Sequence, residues 1–155
     1  YYDSKVPSIG ILNDNEQSLV NEVYSFPKKI GDSIEKFKFR EAVNTMMDLA
    51  RLGNKYLAEK EPWKLIKTDD SERVKTIMNI SLQICGVLCL VCEPFLPNTS
   101  KKLKTIFNIK DTECDSISKE SPIIAKNIEK SSLIFRKIDD QEIELQLEKL
   151  NESKH

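Results

Sequence analysis

The stretch that decides the fold is Thr76–Pro94, TIMNISLQICGVLCLVCEP, which is apolar around almost its whole circumference. A helix of this kind is either buried among other helices or crosses a membrane. Polar side chains at Asn79, Ser81 and Gln83 interrupt it, and the segments around it are amphipathic, which favours burial. The stretch therefore predicts the central helix of an all-α bundle, with no contact with a membrane.

Two more helices are expected on the N-terminal side of this stretch. Asn13 and Glu16 have the spacing of a capping box, opening a helix to about Phe37 that Pro27 and Gly31 should kink or split. A second helix is expected over 39–59. Residues at alternating steps of four and three predict its buried stripe, which comprises Phe39, Val43, Met46, Ala50, Gly53 and Leu57.

The remaining boundaries follow from caps and breakers. Asp69 and Glu72 suggest a capping box for the central helix, and Asn98 is expected to cap a short helix ending near Phe107. We expect one domain over 1–155: an extended lead-in (1–12), a helical bundle core (13–107), a loop (108–130), and a C-terminal part (131–155). That last part should hold a short strand or an extended segment around Leu133–Ile138, followed by a short acidic helix.

Composition removes several classes of protein. The 155 residues hold 24 Lys and Arg against 25 Asp and Glu, so no global charge excess points to nucleic acid or an anionic membrane. Only 4 Gly and 6 Pro are too few for the turns of an all-β domain. The single histidine, His155, excludes Ser-His-Asp triads and His-based zinc sites. The start at Tyr1 suggests a piece of a longer protein, and no signal peptide is visible, which favours the cytoplasm.

Three cysteines lie within the apolar stretch. Cys85, Cys89 and Cys92 match the bare C-x-x-x-C-x-x-C pattern of certain iron-sulfur enzymes. Such a cluster needs thiolates that converge from a flexible loop, whereas these residues are expected inside one helix. We therefore predict that they pack in the core and bind no metal.

One cationic region surrounds the only tryptophan. Between Lys36 and Lys67, eight basic residues stand against four acidic ones, a net charge of +4. Trp63 follows Pro62 and lies close to Lys60 and Lys64. An aromatic ring on a rigid turn among lysines is suited to stacking on an unpaired base, although a lone tryptophan also commonly plugs the end of a bundle.

The run Ala50–Leu65, ARLGNKYLAEKEPWKL, resembles the Asn-x-Tyr…Glu-x-x-Pro-Trp stretch in the anticodon-binding domain of methionyl-tRNA synthetases, which are class I aminoacyl-tRNA synthetases. The segment Glu93–Pro97 is similar to the Pro-Phe-x-Pro element that ends a helix in these enzymes. Two further segments, Phe37–Ala42 and Leu133–Ile138, also resemble the sequences of this family. In this order, the pieces extend the resemblance over essentially the whole chain.

The resemblance implies a helical bundle that binds the anticodon stem-loop of methionine tRNA. Trp63 would stack on an anticodon base with Pro62 setting the turn, and phosphate contacts are expected from Arg51, Lys55, Lys60 and Lys64. Two further anticodon readers of the family, an Asn and an Arg, lie on a helix that would precede Tyr1. ATP, Mg and the attachment of methionine belong to the parent's catalytic domain, whose His-Ile-Gly-His-like and Lys-Met-Ser-Lys-Ser-like signatures are absent from this sequence. The fragment itself is therefore expected to carry no catalytic residue and to need no cofactor.

Two alternatives stay open from the sequence. One is a helical protein-protein interaction module without RNA function, which would bind through the face of 39–60 or through the acidic tail. The other is the matching domain of another class I synthetase, such as one for valine, leucine or isoleucine.

Overall fold

The computed structural model describes residues 2–68, 70–109, 123–124, 127–130 and 133–152. Within them the chain forms six helices, which are α1 (Asp14–Glu35), α2 (Phe39–Lys60), α3 (Pro62–Leu65), α4 (Ser71–Val91), α5 (Pro97–Phe107) and α6 (Asp140–Glu152). The described residues contain no strand, and their β pairing is limited to one antiparallel bridge between Lys5 and Asn127. The all-α prediction is confirmed.

Helix α4 is the centre of the bundle, as its sequence predicts. It packs against α1, α2, α3 and α5, and residues on all its sides are buried, including Ile77, Ile80, Val87 and Leu90. Among the described residues it is the one helix long and apolar enough to cross a membrane, but 67% of its most apolar window is buried inside the fold. That burial is typical of a core helix.

Helices α1 and α2 form the hairpin that covers α4. The capping box at Asn13 and Glu16 is present with both hydrogen bonds. The expected split of α1 is wrong, because α1 continues unbroken through Pro27 and Gly31. Phe26, Pro27 and Ile30 are all buried, so tertiary packing compensates for the hydrogen bond that proline removes.

The buried face of α2 differs from the predicted stripe. Met46 is buried as expected, but the other buried residues of the helix are Ala42, Leu49 and Tyr56, and Phe39 is 54% exposed. The stripe is therefore rotated by about one residue. Apolar residues occupy neighbouring positions of α2, so the helical period alone does not choose between two adjacent stripes.

Two predicted caps are not those of the structure. Asp69 lies outside the described residues, and the side chain that caps α4 is Asp70, which accepts a hydrogen bond from the Arg73 N–H at 3.2 Å. Helix α5 begins after Leu96 with Pro97 in its first turn, and no side chain caps it, so the role predicted for Asn98 is wrong. Proline fits the first turn of a helix, because its missing N–H would have no partner within the helix there.

The lead-in and part of the predicted loop lie against α4. The Pro7 carbonyl accepts a hydrogen bond from the Asn79 amide at 2.7 Å, and the Gly10 N–H donates to Thr76 Oγ1 at 3.0 Å. In the stretch predicted as loop, Ile124 is nonetheless 1% exposed, and its carbonyl accepts from the Gln83 amide at 3.0 Å. The core therefore draws on residues beyond 13–107.

The C-terminal helix is present but contributes no buried residue. Residues 133–139 form neither helix nor strand, so the alternative of a short strand over 133–138 is not found. The division into one domain over 1–155 stays a prediction.

Candidate nucleic-acid interface

The only tryptophan lies on a sharp turn between α2 and α4. Helix α2 ends at Lys60, and Glu61 adopts the left-handed conformation (φ 43°, ψ 55°) with its N–H bonded to the Leu57 carbonyl at 3.0 Å. Pro62 then starts the single turn of α3. The reversal needed at Glu61 and the fixed φ of Pro62 together determine where the indole of Trp63 begins.

The two ends of α3 are attached to the bundle while its middle faces solvent. Pro62 is buried, and Leu65 packs against the hydrophobic core. Trp63 is 54% exposed, so it does not fill the end of the bundle as a core tryptophan would. Half of the indole surface is available to a partner.

The predicted cations do not form one cluster. Lys60 and Lys64 flank Trp63 at the C-terminal end of α2. Arg51 and Lys55 lie one turn apart on the exposed side of α2. The helical rise places Arg51 roughly 13 Å along α2 from Lys60. The arrangement is a strip that leads away from the tryptophan.

Each of these cations has a neighbour in the structure. Lys64 pairs with Glu61 at 2.7 Å, and Arg51 with Asp48 at 2.7 Å. The Lys55 amine is 3.8 Å from a Glu59 oxygen. Lys60 lies over the ring of Tyr56, 6.0 Å from its centroid. Exposed ion pairs contribute little to stability, so these lysines and Arg51 can exchange a carboxylate for a phosphate at small cost.

A shallow groove of about 330 Å³ lies beside the turn, between the start of α1 and the end of α2. Lys55, Lys60 and Tyr56 line it together with Leu19 and Leu52. The groove thus unites two of the predicted phosphate contacts, and neither Trp63 nor Arg51 lines it.

Two of the three cysteines in the apolar stretch are placed as the sequence predicts, whereas Cys85 is exposed and its predicted place in the core is wrong. The residues on both sides of Cys85 are apolar, so the sequence around it gave no signal for an exposed position. Cys89 and Cys92 are buried, and burial raises the pKa of the Cys89 thiol to about 11. The Cys92 thiol donates to the Cys89 carbonyl at 3.2 Å. The described residues bring together no group of three or more His, Cys, Asp and Glu side chains able to hold a metal. That these cysteines bind no metal stays a prediction.

One buried cluster was missed in the sequence. The Glu16 side chain is 1% exposed and accepts hydrogen bonds from the Tyr56 hydroxyl at 3.0 Å and from both terminal nitrogens of Arg73. Burial opposes ionisation of Glu16, but the bonds from Arg73, the Asn13 backbone and Tyr56 outweigh it and hold the pKa of Glu16 below its ordinary value. Burial and the Glu16 charge raise the pKa of Tyr56. The capping box marked Glu16, but nothing local marks partners 40 and 57 residues away.

The fold and the turn define the class: an all-α bundle that presents an aromatic side chain on a cationic turn. The family is more particular. The family model described as "Anticodon binding domain of methionyl tRNA ligase" matches residues 6–154, so the chain belongs to that family.

Two relatives agree with this assignment, and a solved structure shares the fold. The chain is 47% identical to a methionine–tRNA ligase of Christiangramia forsetii and 46% identical to one of Cytophaga hutchinsonii, with 99% of this chain covered in each comparison. Mycobacterium tuberculosis methionyl-tRNA synthetase bound by methionyl-adenylate has a similar fold, with a TM-score of 0.77 over 86% of this chain at 15% identity. The chain spans 23% and 22% of the two ligases and 27% of the solved chain.

Proposed function

We propose that this domain binds the anticodon stem-loop of methionine tRNA as part of a methionine–tRNA ligase in the cytoplasm. In this proposal, Trp63 stacks on an unpaired anticodon base, and Pro62 holds the turn that presents it. The single observation that carries the proposal is the half-exposed indole on a turn fixed to the bundle at Pro62 and Leu65. A preformed aromatic surface stacks on a base without the cost of ordering it first.

The cations supply the part of the affinity that does not depend on sequence. Lys64 and Lys60 are nearest the turn and would contact phosphates of the loop, while Lys55 and Arg51 would contact phosphates further along the stem. Because each such contact releases counterions, binding should weaken as salt rises. The use of ATP and Mg to attach methionine would belong to the part of the ligase that this chain does not cover.

The test uses the full-length ligase that carries this domain. We expect Trp63→Ala to lower kcat/KM for methionine tRNA by about tenfold or more, because stacking one base is worth about 1–3 kcal/mol. Activation of methionine by ATP, measured without tRNA, should not change. Trp63→Phe should give a smaller loss.

A matched control exists at the other end of α2. Phe37 is 81% exposed, so Phe37→Ala also removes an exposed ring, roughly 33 Å away along the helix. It should leave tRNA kinetics unchanged. An equal loss in both variants, or a loss of methionine activation in Trp63→Ala, would contradict the proposal.

Lys64→Ala tests the phosphate contacts. It should weaken tRNA binding mildly and reduce the slope of log K against log salt by about 0.7–0.9, the value for one phosphate contact. An unchanged slope would remove Lys64 from the interface.

One observation favours a second candidate function. Helix α6 exposes Ile143, Leu147 and Leu150, spaced to share a face, which is a surface suited to a protein partner. If Trp63→Ala leaves tRNA kinetics unchanged, a protein-protein interaction module becomes the better account.

A further inference from the structure

The carboxylate of Glu16 is buried, and all its hydrogen-bonding capacity is used within the bundle. Its Oε2 accepts from the Asn13 N–H at 3.3 Å and from Arg73 at 2.9 Å, and its Oε1 accepts from the Tyr56 hydroxyl at 3.0 Å and again from Arg73. A bidentate Arg–carboxylate pair, with two parallel N–H···O bonds, is among the most directional contacts that proteins make. Glu16 is thus a fixed point at the start of α1.

The two distant partners of Glu16 flank the turn that carries the tryptophan. Tyr56 lies in α2, seven residues before Trp63, and Arg73 lies in the first turn of α4, ten residues after it. The segment between Tyr56 and Arg73, which contains α3, is therefore flanked by two residues that bind the same carboxylate. Through these bonds, Glu16 joins the start of α1 to both α2 and α4.

We infer that Glu16, Tyr56 and Arg73 are positioning residues for Trp63: by tying the end of α2 and the start of α4 to one buried carboxylate, they fix the orientation in which α3 presents the indole. The inference rests on the proposed function of Trp63. The polar atoms of Glu16 and Tyr56 would not touch RNA, since Tyr56 is 5% exposed and the Glu16 side chain 1%. The Arg73 side chain is 25% exposed, and both of its terminal nitrogens donate to Glu16.

The coupling has a short physical route. Tyr56 carries Lys60 above its ring, and Lys60 is the last residue of α2 before the left-handed Glu61. On the other side, α3 packs against α4, whose first turn holds Arg73. Loss of either hydrogen bond frees one end of the segment, so more orientations of the indole must be ordered when a base binds.

The test is a double-mutant cycle in the full-length ligase with methionine tRNA as the probe. Tyr56→Phe removes only the hydroxyl and keeps the ring in the core. We expect it to raise the KM for tRNA by about two- to tenfold, the range for one hydrogen bond, with kcat unchanged. In a Trp63→Ala background the same change should raise KM by less than about 1.5-fold, because a residue that acts through the indole has no effect once the indole is gone.

A control and a second variant complete the design. Ser100 is fully buried and donates to the Cys89 carbonyl at 2.8 Å, so Ser100→Ala removes a comparable hydrogen bond between α4 and α5. It should lower the thermal midpoint without changing the KM for tRNA. Arg73→Lys keeps the charge but loses the bidentate geometry, so it should raise the KM for tRNA as Tyr56→Phe does.

The outcomes are distinguishable. If Trp63→Ala lowers kcat/KM for tRNA but Tyr56→Phe and Arg73→Lys leave KM unchanged, the inference is overturned and the proposed function stands. If Tyr56→Phe raises KM equally in both backgrounds, or Ser100→Ala raises it as much, the three residues only stabilise the fold, and the inference is again overturned. If Trp63→Ala itself has no effect, both fall.

Discussion

Replacement of Glu16 by glutamine should cost stability in a way that depends on pH. Glutamine keeps the shape of the side chain but removes the charge that faces Arg73 and offers one acceptor oxygen in place of two. Breaking a buried ion pair costs about 3–5 kcal/mol, and a hydrogen bond to a charged group about 1.5–3 kcal/mol. The Arg73 side chain is 25% exposed and can regain water, so we expect the lower end, about 2–3 kcal/mol at pH 7.

The sign of the pH dependence follows from the lowered pKa of Glu16. Because the folded chain holds this carboxyl ionised more strongly than the unfolded chain does, its contribution is complete above the ordinary pKa of about 4.3 and is lost as pH falls below it. The difference in free energy of unfolding between the wild type and Glu16→Gln should therefore be constant from pH 7 down to about pH 5 and narrow from there to pH 3.

Urea unfolding of both chains across that range measures the difference directly. At neutral pH the thermal midpoint should fall by roughly 4–12 °C, as expected for this chain length. A difference that is the same at pH 3 as at pH 7, or one below about 0.5 kcal/mol at pH 7, would refute the ion pair as the source of stability.

Two further predictions concern helix α4. A Cβ added at Gly53 would lie 2.9 Å from Ile84 Cγ2, so Gly53→Ala should destabilise the chain by about 1 kcal/mol although alanine has the higher helix propensity. In an Ile84→Ala background, Gly53→Ala should instead be stabilising. A change in unfolding free energy of the same sign in both backgrounds would contradict the close approach of α2 and α4. Metal analysis of protein purified without oxygen should show no stoichiometric iron or zinc, since burial raises the pKa of the Cys89 thiol; iron that is lost on changing Cys89 would overturn this.

Much of the bundle could be predicted because its signals are local. The all-round apolar α4, the capping box of α1 and the break at Pro62 each lie within one segment of sequence, and each is present in the structure. Local signals also predicted that Trp63 follows a proline turn between Lys60 and Lys64.

What could not be predicted depends on distant residues. The buried face of α2 is set partly by Tyr56, whose hydroxyl must reach a carboxylate 40 residues earlier. Ile124 is buried in the stretch predicted as loop, and its N–H and carbonyl both bond to the side chain of Gln83, 41 residues earlier. Arg73 reads as an ordinary first-turn residue of α4 until Glu16 is placed beside it. Periodicity and caps carry no information about such pairs.

The most direct test of the central claim joins the protein and the RNA in one cycle. In the full-length ligase, kcat/KM is measured for the wild type and Trp63→Ala, each with intact methionine tRNA and with tRNA lacking one anticodon base at a time. If Trp63 stacks on an anticodon base, Trp63→Ala should cost about tenfold with intact tRNA and nothing further when that one base is absent. A full loss from Trp63→Ala at all three abasic positions would contradict the account.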